Sequence, residues 1–235
     1  MSAKKGDAIV AMRPEPELRL TDIAFEQLEE MIVMRQLPPN TMVSEQQLAT
    51  QLNMGRTPIR EALQRLRQIG FVEMQPRRGT MVCGTDIHQQ FELLEVRKPL
   101  EELMVGCACV RATAEELDVM AHLSRGILQA AAKGDTIQYL KYNRQIHENE
   151  VKAAHNSMLT QIMMTSHAQS RRFWYQNIQQ NQAFAEGAKC HSDVLNTIIA
   201  RDERAARLAV RRLMKYLEKL TYATLSKFAA KPARY

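Results

Sequence analysis

The sequence lacks the features that mark several protein classes. Only 9 glycines and 8 prolines occur among its 235 residues, without any biased repeat, which excludes collagen-like and intrinsically disordered chains. No uncharged apolar run approaches the roughly 18 residues that a membrane span needs, and the N-terminus has no apolar signal region. We therefore expect a soluble, cytoplasmic protein without a membrane partner.

Cysteine patterns and enzyme motifs are equally sparse. The four cysteines have neither CxxC nor zinc-ribbon spacing, so we expect buried, reduced side chains at Cys83, Cys107, Cys109 and Cys190. The patterns HExxH and GxSxG and a phosphate-binding loop are missing as well. These absences argue against a metal-dependent hydrolase or lyase.

Positive charge is present, and it is concentrated in one stretch. The chain has 32 Lys plus Arg against 26 Asp plus Glu, a net charge of +6. Six arginines but only two acidic residues lie between residues 55 and 85. This local excess predicts a polyanionic partner such as nucleic acid.

The first part of the chain carries start and stop signals for three helices. Thr21 is a candidate N-cap for the first helix. Ser44 forms a capping box with Gln47 for a short second helix. A third helix is predicted from near Pro58 to Ile69, because proline is tolerated in the first turn and Gly follows the last one.

Two strand-like segments follow the third helix. Residues 71–75 and 80–82 are separated by the sequence PRRG, which predicts a hairpin with a basic tip. Three helices and a hairpin in this order predict a winged helix-turn-helix domain over residues 18–85. A flexible arm over residues 1–17 precedes it, since two prolines stand there among charges.

The remainder of the chain is predicted to be helical throughout. From residue 86 onward no strand-like alternation interrupts the 3.6-residue apolar period. The helical patterns cover residues 113–134, 137–154, 159–179, 191–200 and 203–228. We therefore predict a mainly α fold, in which residues 86–230 form an all-α antiparallel helical bundle of six or seven helices and residues 231–235 a short tail.

The start of the third helix carries the residues best suited to read DNA. Arg56 and Arg60 lie four residues apart on one helix face, at the end where a recognition helix contacts base edges. The arginine fork pairs with O6 and N7 of guanine. Thr57 and the first amides can bind phosphate, and Arg65, farther along, is expected at the DNA backbone.

The segment SEQQLATQLNMGRTPIREALQRLRQIGFVEMQPRRGTMV closely resembles the DNA-binding domain of the GntR family of bacterial transcription regulators. The resemblance implies that the third helix reads bases and that the wing tip enters the minor groove. The candidate DNA-contacting residues are Ser44, Arg56, Thr57, Arg60, Arg65, Arg78 and Gly79. The sequence departs from the family pattern at Arg35 and Asn40, where glycines are usual, and at Gly55, where a capping serine is common.

The helical remainder resembles the FCD domain, the ligand-sensing domain of the FadR subgroup of this family. The matching pieces are VRKPLE, NRQIH, AAHN, HSDVLNTI and RDERAARLAV, in that order. The resemblance implies a bundle with a central pocket for a small carboxylate. It also implies a divalent metal beside that pocket, held by one Asp or Asn and three His.

This sequence matches the family's metal-ligand pattern only in part. Asn143, His147 and His191 match three positions of the family pattern, but Leu213 stands where the fourth position has histidine. His167 is a possible substitute that the spacing does not require. Three alternatives stay open: a site for Zn, Ni or Mn, a metal-free polar pocket, or structural histidines.

Arg97 lies in an otherwise apolar helical stretch, where a buried guanidinium needs an anionic partner. The resemblance implies an effector carboxylate. A salt bridge with Glu101 or Glu95 is the alternative. The candidate effector-binding residues are Arg97, Asn143, His147 and His191. A second group of arginines and aromatics, residues 171–175, is typical of a dimer surface or core edge, with ligand contact as the less favoured interpretation.

Together these patterns predict a homodimeric, sequence-specific DNA-binding transcription regulator, a repressor rather than an enzyme. Its partners are a double-stranded DNA operator and a small organic or sugar acid that controls operator affinity from the C-terminal domain. No cofactor is certain, and a divalent metal is possible. An effector-independent DNA-binding protein and a metal-dependent enzyme are the alternatives.

Overall fold

The computed structural model describes residues 19–75, 78–177 and 181–229. Within these ranges the chain forms nine helices and three short strands, which confirms the predicted mainly α fold. The predicted arm over residues 1–17 and the predicted tail over residues 231–235 lie outside the described residues.

The N-terminal domain has a winged helix-turn-helix order. Its elements are α1 (Leu20–Val33), β1 (Met42–Val43), α2 (Glu45–Gln51), α3 (Arg56–Gln68), β2 (Val72–Gln75) and β3 (Gly79–Val82). One apolar core, centred on Leu28, Ile59, Leu66 and Phe71, joins the helices to the sheet.

The helix starts agree with the sequence for α2 and differ for α1. At α2 both bonds of the capping box are present: the Ser44 hydroxyl accepts from the Gln47 amide, and the Gln47 side chain accepts from the Ser44 amide. At α1 the N-cap is Arg19, without a side-chain bond, so the assignment of Thr21 as cap is wrong. Thr21 lies inside the first turn, and its hydroxyl donates to Glu61 of α3 at 2.6 Å.

The three strands form one antiparallel sheet in the order β1-β3-β2. The predicted hairpin is confirmed, with Val72 opposite Val82 and Gln75 opposite Gly79; its tip residues 76 and 77 lie outside the described residues. Strand β1 was not predicted, because two residues are too few to carry an alternating pattern. Gly79 has φ +107°, and a Cβ there would lie 3.1 Å from the carbonyl oxygen of Val43.

The two positions that depart from the family's glycines both have left-handed backbone. Arg35 has φ 58° and Asn40 has φ 65°. Glycine adopts this region without the steric cost that a Cβ imposes, and asparagine tolerates it better than most residues. The fold therefore keeps the glycine-type turns, although other residues occupy them.

The C-terminal domain is the predicted helical bundle. It consists of α4 (Ile87–Arg111), α5 (Ala114–Lys133), α6 (Thr136–Ala153), α7 (Ser157–Asn177), α8 (Asn181–Ile199) and α9 (Glu203–Ala229). Thr113 and Glu116 form the predicted capping box of α5, and Gly134 ends that helix with φ 66°. The predicted start of a helix at residue 191 is wrong, because α8 already begins at Asn181.

Helix α7 joins the two domains. Ala168 belongs to the apolar core of the N-terminal domain. Gln169 donates to the carbonyl oxygen of Ile69 at 3.1 Å, and Arg172 donates to the carbonyl oxygens of Gly70 and Cys83. Arg172 is only 3% exposed, and these bonds satisfy both terminal nitrogens of a guanidinium that lies between the domains, while its buried Nε has no partner.

The cysteines are unpaired, as expected, but only Cys109 is fully buried. Cys83, Cys107 and Cys190 are partly exposed, which corrects the expectation of four buried thiols. None of the helices in the described ranges is long and apolar enough to cross a membrane.

The turn at Asn40 provides a test of the backbone argument. Asn40 is exposed and has φ 65°, so Asn40→Ala should destabilise the N-terminal domain by about 1 kcal/mol, whereas Asn40→Gly should be tolerated. Urea unfolding of the two variants beside the parent measures the difference. Equal stability of the alanine and glycine variants would contradict the strain assigned to this turn.

Candidate functional site

The exposed N-terminal end of α3 carries the predicted DNA-reading residues. The side chains of Arg56 and Arg60 are 60% and 52% exposed, and Thr57 is exposed beside them. Gly55 is the N-cap of α3, and it has no side chain that could accept a hydrogen bond. The first amide N–H groups of α3 are therefore not capped by a side chain. Guanidinium groups and amide N–H groups thus occupy one surface, which suits a polyanion.

Glu45, which starts α2, holds both arginines in place. Arg60 Nε donates to the Glu45 carboxylate oxygens at 3.0 and 3.1 Å, and Arg60 Nη2 donates at 2.9 Å. Arg56 Nη2 lies 3.6 Å from the same carboxylate. The hydrogen bonds from Arg60 lower the pKa of Glu45, and the carboxylate in turn raises the pKa of Arg60. Sequence reasoning missed Glu45, although its place after the capping serine puts it opposite the start of α3.

The other predicted DNA-contacting residues are more scattered. Arg65 faces α1: its Nη1 donates to Asp22 at 2.7 Å, and its guanidinium lies 4.2 Å from the centre of the Phe25 ring. The Ser44 side chain is engaged in the capping box. Arg78 and Gly79 are exposed where the wing enters β3.

A pocket in the C-terminal domain gathers the predicted effector-binding residues. The space between its lining side chains amounts to about 600 Å³ only when the part that is open to solvent is included. One end is polar and is formed by Arg97, Asn143, His147, Ser170, Arg171 and His191. The other end is apolar and mostly aromatic, and it is formed by Tyr139, Leu140, Trp174, Tyr175, Phe184, Tyr216, Leu217 and Leu220.

Arg97 lines this pocket with its charge already paired. It is 1% exposed; its Nε donates to Glu101 Oε1 at 3.1 Å, and its Nη2 donates to the same oxygen. His167 Nε2 lies 2.9 Å from that oxygen. Burial alone raises the pKa of Glu101, but Arg97 and His167 offset this effect and hold the pKa at about 2. The salt bridge that sequence analysis kept as the alternative is therefore formed, and it is buried.

Three histidines lie together at the polar end. The rings of His147 and His167 stack at 4.0 Å between centroids, and His191 meets His147 edge-on at 5.1 Å. Burial lowers the pKa of all three histidines, that of His191 to about 4; at His147 the neighbouring charges lower it further, whereas at His167 Glu101 opposes the effect of burial without cancelling it. All three rings are thus neutral at pH 7, and their buried Nδ1 atoms have no hydrogen-bond partner.

These side chains do not form a metal site as they lie. Asn143 Nδ2 and His191 Nε2 are engaged with each other at 2.9 Å, and His167 Nε2 is held by Glu101. Nitrogen lone pairs of imidazole lie in the ring plane, and the stacked rings of His147 and His167 occupy nearly parallel planes, so their lone pairs do not converge on one ion. Leu213 is buried in the apolar core. In the described part of the chain, no three His, Cys, Asp or Glu side chains are grouped to hold an ion.

Arg171 is a pocket residue that was not among the candidate effector-binding residues. It lies on α7 within the group of arginines and aromatics, and it lines the pocket together with Trp174 and Tyr175. Its Nη2 also donates to Glu29 of α1. The signal was the arginine and aromatic spacing on one helix, for which ligand contact was the less favoured interpretation. Arg172, its neighbour, faces the N-terminal domain instead.

Comparison with known families agrees with both halves of this description. Residues 20–82 match the family model described as bacterial regulatory proteins, gntR family, and residues 92–216 match the FCD domain. The second match alone covers more than half of the chain.

Individual relatives are regulators as well. The Nta operon transcriptional regulator of Aminobacter aminovorans is 32% identical over 131 residues, which are 55% of this chain and 61% of that protein. The Uxu operon transcriptional regulator of Escherichia coli is 28% identical over 195 residues, 74% of this chain and 75% of the relative. The chain also spans 62% of the length of the Bacillus subtilis regulator YdhC.

Solved structures share the fold. E. coli McbR/YncC superposes with a TM-score of 0.74 at 23% identity, covering 89% of this chain and 100% of that one. A putative GntR regulator from Rhodococcus sp. RHA1 has a TM-score of 0.67 at 18% identity, covering 91% and 99%.

The buried histidines make stability depend on pH. Because the pKa of His191 is about 4 in the folded state, against an ordinary value of 6.5, the unfolded chain binds more protons between these values. Stability should therefore be fully present above pH 6.5 and fall on acidification toward pH 4. We expect Tm to drop by roughly 3–6 °C between pH 7 and 5.

His191→Asn should flatten this decline, and His88→Asn, at an exposed position, should not. Thermal melting of the three proteins from pH 5 to pH 8 measures the effect. Parallel curves for the parent and His191→Asn would show that the residue does not titrate as described.

Proposed function

This chain belongs to the GntR family of bacterial regulatory proteins and carries an FCD domain, and we propose that a small organic acid bound in that domain controls its affinity for a palindromic operator. It is a transcription regulator, as its relatives are, rather than an enzyme. We further propose that it acts as a homodimer and as a repressor that the acid releases from DNA.

The N-terminal surface supports the DNA part of the proposal. Arg56, Thr57 and Arg60 are exposed at the start of α3, and Arg78 and Gly79 are exposed on the wing. Arg65 lies toward α1, and we assign it to support of α3 with a backbone contact at most. A single short recognition helix reads few base pairs, so specificity requires two half-sites and hence two copies.

The observation that carries the effector part is the division of the pocket into a polar and an aromatic end. Guanidinium and neutral imidazole groups at one end can donate to a carboxylate. Five aromatic rings and three leucines at the other end offer mainly apolar contact, to which the tyrosines add three hydroxyls. This arrangement favours an organic acid with an apolar or aromatic body over a sugar acid, because three hydroxyls would replace only part of the water that the hydroxyls of a sugar acid lose.

We propose that this anion is bound without a metal. Asn143, His147 and His191 then contact the ligand directly as neutral donors, with Arg97 fixed behind them by Glu101. Arg171 joins this set as a second guanidinium. Two contacts support this assignment over a site for Zn, Ni or Mn. Asn143 and His191 are hydrogen-bonded to each other, and the ring of His147 stacks on that of His167.

Replacement of Arg60 tests the recognition helix. Arg60→Ala should reduce the preference for the selected sequence about tenfold or more at each half-site, because a bidentate guanine contact is lost. Arg67→Ala, an exposed arginine at the other end of α3, should change binding far less. The measurement is selection of binding sites from random duplexes, followed by titration of the best sequence. An unchanged preference in Arg60→Ala would remove α3 from base reading.

A panel of acids tests the pocket. Benzoate and phenylacetate should raise Tm by several degrees in the presence of EDTA, whereas gluconate and glucuronate at equal concentration should not. Gly187→Val should remove the response, since a Cβ at this pocket residue would lie 2.7 Å from the Tyr139 hydroxyl. Gly84→Val is the control, because a Cβ there meets nothing within 4 Å.

The other outcomes separate the alternatives. A response that EDTA abolishes and Zn²⁺, Ni²⁺ or Mn²⁺ restores would establish the metal site instead. A response to sugar acids alone would reverse the proposed ligand class. No response to any acid would favour an effector-independent DNA-binding protein.

A further inference from the structure

A carboxylate of the DNA-binding domain is buried against the effector domain. Glu29 lies on α1 and is 3% exposed. Its Oε1 accepts from Arg171 Nη2 on α7, and its Oε2 lies 3.5 Å from Arg144 Nη1 on α6. Two guanidinium groups of one domain thus hold one carboxylate of the other, with little water to screen them.

The two guanidinium groups differ in what else they contact. Arg144 also donates to Glu26 and, through Nε at 2.7 Å, to Glu148, so three carboxylates surround it. Arg171 pairs with Glu29 alone among the acidic side chains of the described residues. Loss of Glu29 would therefore leave the charge of Arg171 uncompensated, whereas Arg144 would keep two partners.

Arg171 also lies where three cavities meet. It lines the effector pocket together with His147 and Trp174. It also lines two cavities between the domains, and Glu29 is in the wall of both. One guanidinium is thus within reach of an anion from either side.

We propose that the carboxylate of Glu29 binds Arg171 where the carboxylate of the effector would otherwise bind, so that α1 and the effector compete for one guanidinium. This inference rests on the proposed function, because it assumes an anionic ligand in the pocket. It assigns Arg171 as the anchoring residue for the ligand and Glu29 as its built-in competitor.

The competition gives the ligand different affinities for two arrangements of the domains. With α1 docked, the anion meets an Arg171 whose charge is already paired. With α1 released, the same anion finds a free guanidinium and binds more tightly. By linkage, the anion must then favour release of α1 to the same degree, and a neutral ligand of the same shape would not.

The test uses the full-length protein and benzoate as the probe, with benzamide as its neutral counterpart. Glu29→Gln keeps the shape but removes the charge, so benzoate should bind roughly fivefold or more tightly than to the parent. Glu26→Gln is the matched control: Glu26 pairs with Arg144 across the same interface but forms no ion pair with Arg171. Its benzoate affinity should equal that of the parent. Calorimetric titration measures the benzoate affinity of the parent and of both variants.

Hydrogen exchange of the α1 amides supplies a second readout. Benzoate should speed exchange in α1 of the parent, and benzamide should not. Arg171→Gln should lose both benzoate binding and this acceleration, so it reports on the anchor even if Glu29→Gln folds poorly.

The outcomes distinguish the two proposals. Benzoate that binds Glu29→Gln but not the parent would support the competition in its strongest form. Equal affinity for the parent, Glu29→Gln and Glu26→Gln would overturn the competition while leaving the effector pocket in place. Failure of benzoate to bind any of the proteins, Glu29→Gln included, would overturn the proposed ligand class and this inference with it.

Discussion

The polar end of the pocket is organised around the buried guanidinium of Arg97. A charge in an apolar interior is tolerated only when it is paired and hydrogen-bonded, and Glu101, one turn along α4, supplies the partner. Glu101 in turn fixes His167 on α7, and His167 stacks on His147 of α6. The polar end of the pocket is therefore a chain of contacts across three helices, in which each side chain restricts the next.

The same charges determine the protonation of the surrounding groups. Glu101 stays ionised because Arg97 compensates for its burial. Glu150, also buried, has its pKa raised by burial and by the charge of Glu101, so it is the neutral acid of the two. The three histidines stay neutral because burial lowers the pKa of each ring, and the nearby charge of Arg97 acts in the same direction. The pocket thus presents neutral donors around a fixed ion pair, an environment that accepts one anion.

Helix α7 connects this pocket to the N-terminal domain, because its residues line the pocket and also contact that domain. Ala168, Gln169 and Arg172 face the N-terminal domain, while Ser170 and Trp174 face the pocket. Arg171 contacts both. Because residues of one helix turn move together, a ligand that shifts Arg171 also strains the contacts of its neighbours with the DNA-binding domain. Coupling between sites needs such a shared element, and no longer pathway is required.

The sequence predicted the parts of this structure that local chemistry determines. Capping residues and apolar periods located most helices, and the arginines of α3 identified the exposed end of that helix. Two errors occurred where contacts between distant residues determine the structure: Thr21 bonds Glu61 instead of capping α1, and β1 exists only because β3 pairs with it. A third error concerns α8, which begins before its apolar pattern becomes regular. The pairing of Arg171 with Glu29 joins residues far apart in sequence, so spacing could not reveal it.

The contact between Glu45 and Arg60 suits the proposed role of Arg60 in reading DNA, because it restricts the side chain in advance. A free arginine loses side-chain freedom when it contacts a base, but Arg60 is already held by three hydrogen bonds to Glu45. The pair is exposed, and exposed ion pairs contribute little to stability, so exchanging Glu45 for a guanine edge or a phosphate is inexpensive. Arg56 shares the same carboxylate at longer range. One glutamate therefore aligns both arginines, as their proposed role in reading DNA requires.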